Sequence, residues 1–513
     1  MRSLQSTTDA HVAPFLQQVS RWPLALRHLH QQIAACFARP EPRQHALLYL
    51  QAILSDIPRK NGWQIAEHAR QARPYGMQRL LSRAVWDEEG VRDALRTALV
   101  QSLYPPPAVC ESAQPPTPFP VLVIDESGFP KRGTRSAGVQ PQYCGASGRV
   151  ENCQVGVFLS YVTAQGHGLI DRELYVPEEW CRDDARRRTA HIPESLTFRT
   201  KPELAQRMVQ RAHEAGLPIE WVVADTVYGH SPDLRRFLEE QGYAYALAVP
   251  SIEVVCVQTT NGPLLADVAS IQQQALGSQD WQLLSQSLGS KGERLFAWAI
   301  LPIVHQGRVD DRHFLVFRRC LDDPSQLSSY LVWTRPDTPL PIIVRAIGGR
   351  WHIEEDLQAS KALGLDHYEV RSYLGWYRHI TLVLLAYAFL VGLCVHANAA
   401  ADPQQPPPFY SQQPLIPLTP SEVHHLLARL IWPAPTSARL LSHWSWWRRT
   451  HQYWAGYYHR RRRAKANAAR GVSAPAPPAG CGSRTAPGRL IESHPGRLPR
   501  TSPANLSSTV LGG

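Results

Sequence analysis

Along the first hundred residues the apolar positions recur at helical spacing, as in Leu47, Leu50, Leu54 and Ile57, and again in Met77, Leu80, Leu81, Ala84 and Val85. No alternating strand pattern interrupts them, so residues 1–104 are expected to form an all-α N-terminal domain. Beyond a proline-dense stretch the rhythm changes. Residues 121–124 (VLVI), 155–162 and 169–176 form short β-type runs, the last with polar interruptions, and a Gln-Gly-His-Gly turn at 165–168 joins the second to the third. A helix over 202–215 leads to a buried strand at 221–224 (WVVA), followed by a helix at 234–241 and a strand at 243–249.

Three strands, helix, strand, helix, strand is the order of an RNase-H-like α/β domain, so the expected fold class is an RNase-H-like catalytic core preceded by the helical domain. Residues 251–340 add strand-like stretches at 295–303, 313–317 and 330–334 without a long helix, and are read as a β-rich insertion. The core then resumes over 341–400 with a helix at 350–363 and an apolar helix after it. Proline breaks both helices and sheet ladders, and seven prolines lie in each of 105–120 and 403–420, which makes those segments linkers. The expected organisation is therefore 1–104, linker 105–120, core 121–250, insertion 251–340, core 341–400, linker 401–420, a basic aromatic segment 421–470, and a Pro/Ala/Gly-rich tail 471–513 expected to be disordered.

Composition sharpens only part of this. With 44% hydrophobic and 19% charged residues in 513, the chain can bury a large core, which excludes a disordered tail protein. The net charge is +11, but nine Arg and one Lys against one Glu place +9 of it after residue 458. A polyanionic partner is thus indicated for the C-terminal end alone. Nine cysteines, an odd number without a C-x-x-C pair, fit reduced thiols in a cytoplasm. The apolar run 380–395 falls short of the ~20 residues needed to span a bilayer, so it is read as a buried core helix and no membrane partner is expected.

Asp125 follows one buried strand and Asp225 another, so in adjacent strands both carboxylates would project from the same sheet edge into a cleft. Such a pair repels itself, and a divalent cation removes the penalty; oxygen-only ligands select Mg²⁺ or Mn²⁺. The third ligand is expected to be Glu354, in RWHIEEDLQASK at 350–361, where Arg350, Glu354 and Lys361 fall at i, i+4 and i+11 on one helix face. One acid flanked by two cations suits a site that holds metal and grips phosphate. A lone Asp after a strand is more often a turn former or helix cap, but the combination with the helical R-x3-E-x6-K outweighs that reading. Glu355 and Asp356 are taken as solvated neighbours, and strand alternation sends Glu126 to the face opposite Asp125. Cys144, Cys153, Cys181 and His191 match no standard zinc spacing.

These residues carry a resemblance. The chain is similar to the DDE transposases of bacterial insertion sequences, in the subgroup with a Y-x2-R-x3-E-x6-K signature; the tyrosine position is here Ile347. Further similar stretches are RKNGWQIAE at 59–67, DESGFPKRG at 125–133, QYCG at 142–145, NCQV at 152–155, ADTVYG at 224–229 and GLDHYEVR at 364–371, and the likeness covers roughly 15–465. The resemblance implies cleavage of double-stranded DNA at element ends followed by strand transfer to target DNA. It implies Asp125, Asp225 and Glu354 as catalytic metal ligands, a β-rich insertion that contacts DNA, and a homodimer that cuts in trans.

Phosphate contacts are expected from Arg350, Lys361, Lys131 and Arg132. Two short helices around Pro74 fit either a helix-turn-helix presenting Gln78, Arg79 and Arg83 to the terminal inverted repeat or an ordinary helical hairpin. Trp444, Trp446, Trp447, Arg448, Arg449, Trp454, Tyr457, Tyr458 and the Arg run 460–463 fit either base stacking with phosphate contact or a Trp core beside solvated arginines; the concentration of charge favours DNA. The rival functions are an element-end binding regulator that does not cut, and a nuclease that cuts without joining. Localisation is expected in the bacterial cytoplasm, on the nucleoid.

Overall fold

The structure, a computed structural model, describes residues 2–104, 119–145, 147–289, 292–305, 307–399, 417–433 and 437–469. The expected linker 105–120, most of 401–420 and the tail 471–513 therefore lie largely or wholly outside the described residues. The chain divides into two compact units, 1–444 and 445–513.

The first unit opens with five helices: α1 (Arg2–Gln32), α2 (Pro40–Ile53), α3 (Gly62–His68), α4 (Tyr75–Ser82) and α5 (Glu88–Leu103). Their starts are fixed by local chemistry. Asn61 caps α3 through the backbone N–H groups of Trp63 and Gln64, and Asp87 caps α5 through those of Glu89 and Gly90. Helix α4 stops at Ser82, so Val85, expected on its apolar face, is 73% exposed.

Then come β1 (Val121–Pro130), β2 (Gln140–Cys144), β3 (Arg149–Thr163) and β4 (Gly166–Tyr175), followed by α6 (Glu178–Arg182), α7 (Asp184–Ala190) and α8 (Lys201–Glu214). The order continues with β5 (Trp221–Ala224), α9 (Thr226–Gly229), α10 (Pro232–Glu240) and β6 (Ala244–Val249). Next are β7 (Val254–Thr259), β8 (Gly262–Asp267), α11 (Val268–Ala275), β9 (Gln282–Gly289), β10 (Gly292–His305), β11 (Arg308–Arg319) and β12 (Leu327–Trp333). Helices α12 (Leu340–Gly348), α13 (Trp351–Ala362), α14 (Tyr373–Ala399), α15 (Pro420–Leu426) and α16 (Ala438–Ala469) complete the described elements.

One twelve-stranded mixed sheet runs β2-β3-β1-β5-β6-β12-β11-β10-β7-β8, with β4 on β3 and β9 on β10. The central strands are in the order β4-β3-β1-β5-β6, in which β1, β5 and β6 are parallel while β3 is antiparallel to both β1 and β4. The strands of 251–340 do not fold apart from this sheet: β12 pairs antiparallel with β6 and carries β11 and β10 outward. The mixed α/β class follows directly, with the helices of 2–104 in the same compact unit as the sheet.

Helix α14 is the centre of the core. It is long and apolar enough to cross a membrane by length and composition, yet 83% of its most apolar window is buried against α5, β4 and neighbouring helices, as expected of a core helix. The polar interruptions in β4 are buried charges rather than solvent contacts. Asp171 and Glu173 accept from Arg211 of α8 at 2.9 and 2.7 Å, and Arg172 donates to Glu89 of α5 at 2.8 Å. Tyr377 of α14 donates to Glu173 at 2.7 Å, so one ionic network pins α5, α8 and α14 to β4.

Candidate active site

The parallel register of β1 with β5 ends at the pair Ile124 and Ala224, so Asp125 and Asp225 are the next residues on neighbouring chains. Adjacent strands lie about 4.8 Å apart, which sets the two acids side by side at one sheet edge. Asp125 does not close its strand, as the sequence suggested; β1 continues to Pro130 because the longer β3 still pairs with it, and only β5 stops. Asp125 Oδ1 accepts the Glu126 backbone N–H at 2.7 Å, and Asp225 caps α9 by accepting from Val227 N at 2.9 Å. Each acid is thus oriented by its own backbone through one oxygen.

Glu354 stands in the first turn of α13 and is linked to Asp125 through Arg350. Arg350, at the start of that helix, donates to Glu354 Oε1 at 2.9 Å and stands 3.7 Å from Asp125 Oδ2. One guanidinium therefore lies between two of the three acids and offsets their repulsion. The compensation is partial. Burial, then the charge of Asp225, pushes the Asp125 carboxyl up to about 7, and burial with the charge of Glu126 raises that of Asp225. Asp225 and Arg350 line a cleft of about 720 Å³ together with Arg318, Ser328 and Tyr330.

Glu126 receives Lys201 Nζ of α8 at 2.5 Å and the Tyr228 hydroxyl of α9 at 2.8 Å, and its charge bears on Asp225. Asp356 corrects an expectation: it is fully buried, not solvated, because β3, β4 and α14 converge on it. It accepts from the hydroxyls of Ser160 and Tyr387 and bonds His167 Nδ1 at 2.6 Å. Its role was hidden in an acidic triplet whose three members look alike in sequence but lie about 100° apart around the helix.

The other predicted residues are more scattered. Lys131 lies over the Tyr368 ring with Nζ 3.4 Å from its centroid, and burial lowers its pKa to about 8. Arg132 is exposed. Lys361 sits in the last turn of α13, roughly 16 Å along the axis from Arg350, and forms no ion pair with the three acids among the described residues. Ile347, at the signature's tyrosine position, is buried in α12. Arg79 is exposed on α4 and Arg83 is exposed just past its end. In the second unit Arg449, Arg460, Arg461 and Arg462 are exposed on α16, as are Trp446, Tyr453, Trp454, Tyr457 and Tyr458, and Arg448 is half-buried; Trp444, in the first unit, is buried and donates to Gln71 O.

Comparison with known proteins finds sequence similarity over part of the chain. Residues 32–267 match the DDE superfamily endonuclease family. A stretch of 199 residues is 27% identical to a protein described as a probable transposase for insertion sequence element IS701 from Microchaete diplosiphon. That match takes in 39% of this chain and spans less than half, 46%, of the relative. Among solved structures, the NurA nuclease from Sulfolobus solfataricus aligns over 48% of this chain and 82% of its own, at 10% identity and a TM-score of 0.22, too weak a likeness to establish a shared fold. Residues 32–267, which contain Asp125 and Asp225, are thus similar to DDE superfamily endonucleases, and part of the chain is similar to an insertion-sequence transposase.

Proposed function

We propose that this chain is a DNA transposase that cleaves phosphodiester bonds at the ends of its insertion sequence and joins the freed ends to target DNA. The observation that carries this reading is the side-by-side placement of Asp125 and Asp225 where the in-register parallel pairing of β1 with β5 ends, with Arg350 linking Glu354 to Asp125. The central order β4-β3-β1-β5-β6 supports an RNase-H-like core, with 251–340 inserted before its last helices.

Asp125, Asp225 and Glu354 would hold Mg²⁺ or Mn²⁺. The donor set fits: it is all carboxylate oxygen, and the raised pKa values of the two Asp residues mark negative charge that the protein leaves uncompensated. Two such ions, when bound, would activate water or a 3′-hydroxyl for in-line attack and stabilise the leaving oxygen. The chain's own residues do the positioning. The Glu126 and Val227 backbone N–H groups each hold one carboxylate oxygen of Asp125 and Asp225. Arg350 keeps Glu354 beside Asp125, and its planar fork can instead grip a DNA phosphate entering the cleft. Lys131, Arg132 and Lys361 would guide the strand on either side.

The DNA duplex would also meet α3 and α4 through Gln78, Arg79 and Arg83, and the basic aromatic face of α16 through Arg448 and Arg449. We place the protein on the nucleoid as a homodimer, with element ends and target DNA as its partners.

The test uses purified full chain, Mg²⁺ and DNA carrying the element ends. Asp225→Asn is expected to bind those ends like the wild type while cleavage falls at least about 10³-fold, because a ligand to the activating ion is removed. Joined products from the wild type would separate a transposase from a plain nuclease. Wild-type binding without any cutting would overturn the reading in favour of a regulator of the element ends.

A further inference from the structure

A second cluster of ligand atoms lies on the other side of α13 from Arg350. His167, the second residue of β4, is in register with Val162 of β3 and through it with Val121 of β1, so it lies about 10 Å across the sheet and about 13 Å along it from Asp125. Its ring stacks on that of His352 with centroids 4.3 Å apart, and Glu355 closes the group. Among the described residues His167, His352 and Glu355 are the one set of three such side chains whose ligand atoms all lie within 4.8 Å of one another.

The details match a coordination sphere. Glu355 Oε2 is 3.0 Å from His352 Nδ1 and 3.4 Å from His167 Nε2. The edge of a tetrahedron with metal–ligand bonds of about 2.0–2.1 Å is roughly 3.3 Å. His167 Nδ1 is engaged by Asp356 at 2.6 Å, which leaves Nε2 as the nitrogen that faces the cluster. Asp356 itself is fully buried and fixed by Ser160 and Tyr387. A carboxylate behind a histidine is the usual outer support of a metal ligand, since it sets both tautomer and ring angle. Simple charge pairing of Glu355 with two histidines would need no such buried support.

We propose that His167, His352 and Glu355 form a transition-metal site, suited to Zn²⁺, that ties the start of β4 to the first turn of α13. Two imidazoles and one carboxylate select Zn²⁺ over the harder Mg²⁺, which prefers oxygen alone. The site is separate from the three acids, and its role is positioning: Glu354 lies between His352 and Glu355 in sequence, so a metal here fixes the turn that carries it. Three protein ligands leave a fourth position for water.

Metal binding to tag-free, EDTA-treated full chain tests this, with Zn²⁺ titrated calorimetrically and Co²⁺ followed by its visible absorption. The wild type is expected to take up one equivalent of Zn²⁺ that excess Mg²⁺ does not displace, and Co²⁺ to give a four-coordinate spectrum. His352→Gln, at a half-exposed position that tolerates the change, should weaken binding at least about tenfold, as should Glu355→Gln. Asp125→Asn should bind as the wild type does. Absence of stoichiometric Zn²⁺ uptake by the folded wild type, or unchanged binding in His352→Gln, would overturn the proposal. Neither readout depends on DNA cleavage, so the result stands whether or not the chain proves to be a transposase.

Discussion

Asp125 has a consequence for stability that can be measured without DNA. Its carboxyl is held up to about 7 in the fold by burial and then by Asp225, against an ordinary value near 3.8. Between those values the folded state keeps a proton that the unfolded chain has released, so stability falls as pH rises through this window and levels off above it. A shift of this size corresponds to about 4 kcal/mol at most. We expect urea unfolding of the metal-free protein to show the decline from pH ~4 to ~7, with Asp125→Asn less sensitive to pH over that range. Millimolar Mg²⁺ should recover part of the loss near neutrality in the wild type only. A wild type and an Asp125→Asn variant with parallel pH profiles would show that the acid is not held protonated by its neighbours.

At the scale of elements, the position of Asp225 depends on a four-residue helix set against the sheet. Gly229 ends α9, and a Cβ there would collide with the carbonyl oxygen of Ala248 in β6. Gly229→Ala must push α9 outward, and Asp225 is the residue that caps it. The expected cost is about 1–3 kcal/mol of stability, as for overpacking elsewhere, together with a loss of cleavage larger than that of binding. Thermal melts beside a cleavage assay check this; full activity in a destabilised variant would show that α9 does not set the acid.

The same elements show what could be read in advance. The strands leading to Asp125 and Asp225 and the helix of Glu354 were legible because each is a continuous apolar or periodic run, although the run before Asp125 did not show that β1 continues to Pro130. The short strands β2, β7, β8 and β9 were not, since their stability comes from partners distant in sequence rather than from their own pattern. Nor was the fate of the acidic run at 354–356: one member meets Arg350, one stays half-exposed beside His352, and one is buried under α14. Polar residues in β4 looked like breaks in a strand and are instead its ionic anchors, because burial of a charge is decided by whether its counter-ion arrives from another element.

For the whole molecule the question is where the proposed DNA affinity would reside. The excess positive charge lies in 459–513, and its described part on α16 exposes Arg460, Arg461 and Arg462 beside Trp454, Tyr457 and Tyr458. Cations on phosphates release counter-ions, so each contact adds roughly 0.9 to the slope of log affinity against log salt on duplex DNA. Replacing these three arginines with Gln should lower that slope by about 3 if all of them meet phosphate. Affinity for any duplex should fall with it, whether or not the duplex carries element ends. Because the three side chains are exposed, the melting temperature should not move. Cleavage chemistry at saturating DNA should also persist, since the acids and Arg350 belong to the first unit. Titrations of labelled duplex at several salt concentrations decide the matter: an unchanged slope would mean that Arg460, Arg461 and Arg462 are solvated and that any phosphate contacts lie elsewhere in the chain.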